Sequence, residues 1–532
     1  MHPLAALETW TVTKPAVAGR RGLVASQHYR ASQVGAEVLA AGGNAVDAAV
    51  ATALALAPLE PWMSGLGGGG FMLVYKAAER RAWCVDFSMV APLGLDPGDY
   101  PLTGEVDREL FGWPAVEGQR NLQGYTSAIV PGQVAGLALA LDHFGSRPWA
   151  ELVAPAVALA REGLQVDWYA TLKIAAAAKT LARYEASKAV YLPDGFVPAG
   201  QWGGPLPRLD LGNLAATLEQ LARRGPGDFY RGDIARALVA DLERGGSCMV
   251  AEDLARYEAK VVAAGAMAYR DHRIHYAPGL SAGPTLHHAL ELLADRSTPA
   301  PKAPLDGEIL GHFAQCLLDA FAHRLAHAGD EGADRSREPG CTTHISAVDG
   351  DGNLVALTQT LLSVFGSKVV LPQTGILLNN GVMWFDPRPA RPNSMGPGKR
   401  PLTNMCPAIL ERADGFNVAL GASGGRRIMP AVFQLLALLT DRQLDLEAAF
   451  HTPRLDASGT SLVTVDAQVP QGARAQLAQR FESVTTAVHG VYPNLFACPN
   501  AVGWQVDGSQ RGAAFVPSPW AAVVGPDTPA LA

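Results

Sequence analysis

Polar and apolar positions alternate most regularly in the middle of the chain. Thr342-Thr343-His344-Ile345-Ser346-Ala347-Val348-Asp349 and a second run over residues 354–361 mix hydroxyl and apolar side chains, with Gly350-Asp351-Gly352-Asn353 between them. Alternation broken by a Gly/Asp/Asn cluster predicts two strands joined by a tight turn. Upstream the period lengthens. Residues 34–41 predict an amphipathic helix closed by Gly42-Gly43. Asn44 caps a second helix, where Asp47 at the third position favours the positive end, and Pro58 and Pro61 end it. The glycine loop 65–70 leads into a strand over 71–75, which pairs with one over 82–87.

Further helices are predicted over 149–162, 211–222, 233–244, 285–293, 308–327 and 428–439, and strands over 269–275, 374–378, 408–411 and 417–420. Residues 328–340 hold four acidic residues, three glycines and a proline, the composition of an exposed, mobile connector. Strand and helix runs coexist in both halves, which predicts a layered α/β (α+β) protein with mainly antiparallel sheets.

Composition narrows the function classes. With 532 residues, 48% of them hydrophobic, the chain can bury a large core as one big domain or several smaller ones. A net charge of −7 without a basic stripe gives no reason to expect a nucleic-acid partner. The longest apolar run, residues 45–58, carries Asp47 and is too short to span a bilayer, so no membrane association is expected. Residues 1–14 do not read as a secretory signal, and a cytoplasmic location is expected. Cys84, Cys248, Cys316, Cys341, Cys406 and Cys498 show no CxxC spacing, and His287-His288 lack a third ligand at useful spacing. Neither structural disulfides nor a metal is therefore expected.

Three glycine signals bear on chemistry. Gly65-Leu66-Gly67-Gly68-Gly69-Gly70 fits GxGxxG, but a helix precedes it and a strand follows. A dinucleotide fingerprint needs the reverse order, so a close-packed backbone turn is expected. Gly421-Ala422-Ser423-Gly424-Gly425 fits GxSxG with a strand before and a helix after. That context suits a serine nucleophile, with Asp456 and His489 as conscripted partners, or an oxyanion site on the N–H groups of Gly424 and Gly425. Asn379-Asn380-Gly381 signals a turn. The hydroxyl run offers another nucleophile. A threonine at a chain terminus can supply both nucleophile and base, because its own α-amine titrates near neutrality.

Together these segments resemble the γ-glutamyltransferase (glutathione hydrolase) family of N-terminal nucleophile hydrolases over roughly residues 25–520. The resemblance rests on Gly42-Gly43-Asn44-Ala45-Val46-Asp47-Ala48-Ala49, Ser64-Gly65-Leu66-Gly67-Gly68-Gly69-Gly70-Phe71 and Val130-Pro131-Gly132. It continues through Thr342-Thr343-His344 with Asp351-Gly352-Asn353, Leu377-Leu378-Asn379-Asn380, Lys399-Arg400-Pro401-Leu402 and Gly424-Gly425. It implies a four-layer αββα sandwich, made as one precursor that cuts itself between Cys341 and Thr342. The products would be a large chain, 1–341, and a small catalytic chain, 342–532, forming a heterodimer and allowing a dimer of heterodimers. Thr342 would be the nucleophile, with Thr343 the fallback if the cut lies one residue later. Thr360, and Thr358 similarly, would support the new N-terminus. Gly424 and Gly425 would form the oxyanion hole, and no cofactor is implied.

The departures from the family pattern concern substrate. Ser88 stands where the family has an arginine for the glutamyl carboxylate, and Leu362 where it has an asparagine. After Asn379-Asn380, Gly381 and Trp384 replace a glutamine and the amine-binding aspartate, and Thr403-Asn404 replace a serine pair. A serine hydroxyl cannot reproduce a bidentate Arg–carboxylate pair. The expectation is an amidohydrolase or acyltransferase acting on a small-molecule amide with a flatter or more apolar, non-glutamyl acyl group. Ser88, Asn380, Trp384, Thr403 and Asn404 would line its site, with Trp384 as a wall. Arg427 matches the family in a structural role, while Arg426 does not match and could meet an acidic substrate. A shortened loop between Phe385 and Lys399 would open the site. A genuine glutathione hydrolase and a serine esterase using Ser423 are the alternatives.

Overall fold

The computed structural model describes residues 12–106, 113–201, 203–296, 305–328, 340–459, 461–492 and 494–528. Most of the proposed connector, residues 329–339, lies outside the described residues, as do residues 1–11 of the segment judged for a signal.

Two antiparallel seven-stranded sheets face each other. The first runs Ala522–Val524, Gly22–Ser26, Gly340–Asp349, Leu354–Ser363, Gly69–Lys76, Arg81–Phe87 and Lys260–Ala263. The second runs Val17–Gly19, Gln510–Ala514, Cys498–Trp504, Asn417–Ser423, Ala408–Glu411, His272–Tyr276 and Gly265–Tyr269. Each sheet interleaves strands from both sides of residue 342, so neither part of the chain completes a sheet alone.

Strand alternation sorts the side chains into layers. Ile345, Ala347, Val355 and Leu357 pack outward on one helical layer. Val348, Leu354 and Ala356 point inward and meet Ile409, Ala419 and Val502 of the second sheet. Beyond that sheet, Leu410, Val418 and Leu420 pack on helices Gly283–Ala294, Gly307–His327 and Ile428–Thr440. The result is an αββα sandwich.

Helix Ala45–Leu59 shows how sequence fixes these layers. All of its residues are buried, in keeping with an apolar composition on every face. Asn44 Oδ1 accepts from Val46 and Asp47 N–H at 2.9 and 3.1 Å, and Asp47 Oδ2 accepts from Asn44 N–H at 2.8 Å. Asp47 also receives both N–H groups of Ser146 and Arg147, tying the helix start to a distant loop.

Loop 65–70 is the expected close-packed turn. A Cβ on Gly67, Gly68 or Gly70 would lie 2.2 to 2.3 Å from the carbonyl oxygens of Leu377, Thr360 and Thr358 respectively. Those glycines let the loop press onto the backbone carrying Thr360.

Two expectations need correcting. The single strand over 269–275 is two strands, Gly265–Tyr269 and His272–Tyr276, because Arg270 takes φ 53° and the chain reverses there. Residues 374–378 form no ladder. Their backbone makes only isolated bridges, Val370 with Leu377 and Gly67 with Leu378.

Among the described residues no helix is long and apolar enough to cross a membrane, and no group of His, Cys, Asp and Glu could hold a metal ion.

Candidate active site

The alternation starting at Thr342 sends Thr342, His344 and Ser346 into the space between the sheets. Thr342 Oγ1 lies 3.4 Å from Thr360 Oγ1 on the neighbouring strand, and both residues are buried. Thr360 Oγ1 in turn accepts the Leu362 N–H at 2.8 Å.

The ladder slips at this point. Cys341 pairs with Leu362 and Thr343 with Gln359, so Thr342 faces two residues of the partner strand, Thr360 and Leu361. Leu362 absorbs the bulge at φ 89°, a left-handed conformation that costs a bulky side chain energy. The Cys341–Thr342 peptide bond therefore sits in an irregular piece of sheet.

His344 was missed as a site residue by the sequence reading. Its Nδ1 is 2.9 Å from Thr358 Oγ1 and its Nε2 3.1 Å from Ser346 Oγ. Asn500 Nδ2 donates to its carbonyl at 2.6 Å. Burial lowers the imidazole pKa to about 3, so the ring is neutral at ordinary pH. A Cβ on Gly421 would lie 2.3 Å from the ring, so His344 locks the two sheets together. Thr358 is thus a partner of His344. The signal was present: His344 lies two residues after Thr342, on the same face.

The second sheet supplies the glycine turn. Strand Asn417–Ser423 ends at Gly424, with φ 136°, and Gly425, with φ 61°, before the buried helix Ile428–Thr440. Only glycine adopts that pair of angles without strain. The turn Gly425–Arg427, which leads into a helix, packs against the strand Gly340–Asp349 that carries Thr342.

Ser423 sits differently. It is buried, and its Oγ accepts from Gln27 Nε2. Asp456 pairs with Arg427 at 3.4 Å, and His489 with Asp466 at 3.4 Å. The three members of a serine triad are committed elsewhere.

The remaining expected residues fall into two groups. Trp384 and Asn404 line one cleft together with Trp113, Arg324, Arg426 and Ser458. Asn393 fixes its rim, donating to the Trp384 carbonyl at 2.6 Å and accepting from Leu402 N–H at 3.0 Å. Arg426 belongs to the Gly425–Arg427 turn, so the cleft adjoins the Thr342 strand. Desolvation lowers the Arg426 pKa to about 10, with Asp456 opposing the shift and Arg427 adding to it.

Ser88, Asn380 and Thr403 are not on the cleft lining. Ser88 Oγ donates to Asp86 at 2.7 Å and accepts from Arg400 at 2.9 Å. It follows a strand three positions from that of Thr342 in the sheet order, roughly 14 Å at normal spacing. Asn380 donates to the Leu122 carbonyl and to Ser363 Oγ, both at 2.8 Å, and accepts from Ser363 N–H at 3.1 Å. It braces the end of the Thr360 strand. Thr403 lies behind Asn404, its carbonyl held by Arg324 at 2.7 Å.

Comparison with known proteins agrees with this layout. A family model described as gamma-glutamyltranspeptidase matches residues 31–338 and 328–502. The chain belongs to that family. The glutathione hydrolase proenzyme of Escherichia coli (strain K12) is 32% identical over 494 residues, spanning 82% of this chain and 81% of that one. The Acylase ACY 1 proenzyme of Pseudomonas sp. (strain SE83) is 30% identical over 549 residues, spanning 96% and 95%. Cephalosporin acylase from Bacillus halodurans shares the fold, with a TM-score of 0.83 at 24% identity over 97% of this chain and 98% of that one. This member of the gamma-glutamyltranspeptidase family sets a row of hydroxyls between its two sheets and a glycine turn at the start of a buried helix.

Proposed function

We propose that this enzyme is a self-cleaving N-terminal threonine hydrolase that acts on amide bonds through an acyl-Thr342 intermediate. The observation that carries the proposal is the buried Thr342 hydroxyl, set at a ladder irregularity against Thr360 on a strand that packs against the Gly425–Arg427 turn.

In processing, Thr342 Oγ attacks the Cys341 carbonyl, and the peptide nitrogen departs as the Thr342 amine. Water then hydrolyses the ester, leaving a Cys341 carboxylate and a free Thr342. In turnover, the Thr342 amine takes the hydroxyl proton, directly or through water, and Oγ attacks the substrate carbonyl. The Gly424 and Gly425 N–H groups meet the developing oxyanion, and the protonated amine product leaves. Water, or an acceptor amine, then takes the acyl group and restores the threonine hydroxyl. Large chain 1–341 and small chain 342–532 stay together as a heterodimer, because strands of both build each sheet. The family resemblance allows these to pair again.

The acyl group is proposed to be non-γ-glutamyl. Ser88 is occupied by Asp86 and Arg400, and an indole stands at position 384 where an amine-binding carboxylate is expected. The acylase relative spanning 96% of the chain supports this direction. Genuine glutathione hydrolysis is the second reading, favoured by the E. coli relative. Acid quench during turnover of an anilide panel, followed by mass analysis, tests the proposal. The 342–532 fragment should gain the mass of one acyl group, located at Thr342. An adduct on Ser423, or none during steady turnover, would refute it. Anilines released faster from γ-glutamyl anilides than from simple acyl anilides would favour the second reading.

A further inference from the structure

A second group of polar side chains shares no residue with the cleft. Glu60 and Trp62 are each 3% exposed, and neither Glu60 Oε2 nor Trp62 Nε1 has a hydrogen-bond partner among the described residues. Lys173 is also buried and makes no ion pair among the described residues. Its Nζ lies 4.9 Å from the centre of the Tyr169 ring and 5.4 Å from that of Tyr492. Tyr169 in turn meets Trp62 edge-on, with ring centres 6.0 Å apart. Burial pushes the Glu60 carboxyl up to about 8, with Lys173 opposing the shift and Asp167 adding to it, so Glu60 is mostly an O–H donor at neutral pH. Asp167 is occupied, accepting from Ala170 N–H at 2.8 Å and from Trp520 Nε1. The group thus offers an ammonium, an indole N–H and a carboxyl O–H that no described residue takes up.

Its neighbours adjoin both halves of the candidate active site. The carbonyls of Met63 and Trp62 accept the N–H groups of Leu361 and Phe365, both at 3.1 Å, and Leu361 is one of the two residues facing Thr342. On the other sheet Cys498 pairs with Ser423, and a Cβ on Gly424 would lie 3.0 Å from Ala497 Cα. Burial pushes the Cys498 thiol up to about 12, Lys173 opposing that shift and Glu60 adding to it. The donors therefore sit between the strand end beside Thr342 and the glycine turn.

Resting on the threonine-hydrolase reading, we infer that Lys173 is the specificity-determining residue for the amine half of the substrate, and that the preferred amine is a flat ring carrying a carboxylate. Lys173, the Trp62 N–H and the Glu60 O–H receive the carboxylate, and the ring lies against Tyr169 and Tyr492. A buried ammonium without a counter-charge is costly, and a carboxylate offsets that cost through charge-assisted hydrogen bonds. A carboxamide of the same shape brings no charge. The aromatic surface suits a ring. It runs outward from Tyr169 to Trp520, stacked at 4.6 Å, and on to Trp168, which is exposed, as is Tyr492.

The test uses the purified wild-type protein, Lys173→Met and Lys173→Arg, with paired nitroanilides of the acyl group released fastest in the anilide panel. The ring of each pair carries either a carboxylate or a carboxamide, meta to the amide nitrogen. In the wild type kcat/KM should favour the carboxylate by roughly 10- to 100-fold. The preference should fall to about unity in Lys173→Met and persist in part in Lys173→Arg. A folding defect lowers both rates together and leaves their ratio, so the ratio reads the contact. Trp62→Phe, which keeps a ring and removes the N–H, should lower the ratio less than Lys173→Met. Calorimetric titration of the free ring amine, as carboxylate and as carboxamide, reads the same preference without turnover. Equal rates for the two anilides, or a preference unchanged in Lys173→Met, overturns the inference while leaving the threonine hydrolase intact. Ring-amine binding that favours the carboxylate and is lost in Lys173→Met, without hydrolysis of any anilide, upholds the anion site and defeats the hydrolase reading. Equal binding of carboxylate and carboxamide overturns the anion site.

Discussion

The row of hydroxyls between the sheets and the cleft beside it are built by different means. Thr342, His344, Thr358 and Thr360 sit on paired strands, and cross-strand contacts at 2.9 to 3.4 Å fix them. A strand slip of one residue would turn every one of them to the other face, so the sheet cannot drift without losing the site. The cleft instead takes Trp384, Asn404, Arg426 and Ser458 from turns and loops held by a few bridges such as Asn393. Its residues can change without disturbing a ladder. On the proposed reading, chemistry is fixed by the sheet and acyl selectivity is left to the loops.

This contrast can be broken at either end. The largest effect should come from Thr342→Ala, which removes the proposed nucleophile of both processing and turnover. Activity should drop to the level left by binding and the oxyanion turn alone, measured as anilide release. Gly424→Ala comes next, because the φ of 136° resists any side chain and a Cβ would lie 3.0 Å from Ala497 Cα. Displacing the proposed oxyanion donor is expected to reduce kcat roughly 10²- to 10³-fold. Thr360→Val should slow kcat less, by about 1 to 3 kcal/mol of hydrogen-bonding energy, with KM nearly unchanged. On the cleft side, Trp384→Ala should act mainly on KM and on the order of preference among acyl groups, sparing self-cleavage. An equal loss of kcat for every substrate would mean that the cleft and the hydroxyl row are not separable.

The pH profile sharpens the same division. The free Thr342 amine must be unprotonated to act as base, so kcat/KM should rise with pH through about 7.7. His344 adds no kinetic step there, since its pKa is already lowered to about 3. Its effect is on stability. Because the folded pKa lies below the unfolded value of 6.5, stability from the neutral ring is full above pH 6.5 and is lost as pH falls toward 3. His344→Gln should flatten this part of the Tm–pH curve relative to wild type.

The two regions also differed in how legible they were. The hairpin holding Thr342 and Thr360 could be read from alternation and a Gly/Asp/Asn turn, and the glycine turn from its place between strand and helix. His344 escaped because burial, not residue type, gives it its neutral state and its partners. The cleft was harder, since it gathers residues 113, 324, 384, 404, 426 and 458 across more than three hundred positions. No local pattern announces that convergence. Ser88 and Asn380 were assigned by position in a family pattern, whereas their hydrogen bonds are to Asp86 and Arg400 in one case and to Leu122 and Ser363 in the other. The run over 374–378 was read as a strand because its apolar content favours extension, but its backbone pairs only through isolated bridges to Val370 and Gly67.

The most direct test of the threonine mechanism is denaturing intact-mass analysis of the purified protein beside Thr342→Ala. Two fragments meeting between Cys341 and Thr342 in the wild type, and one full-length mass in the variant, are the predicted result. A single uncut wild-type chain that still hydrolyses amides would contradict it.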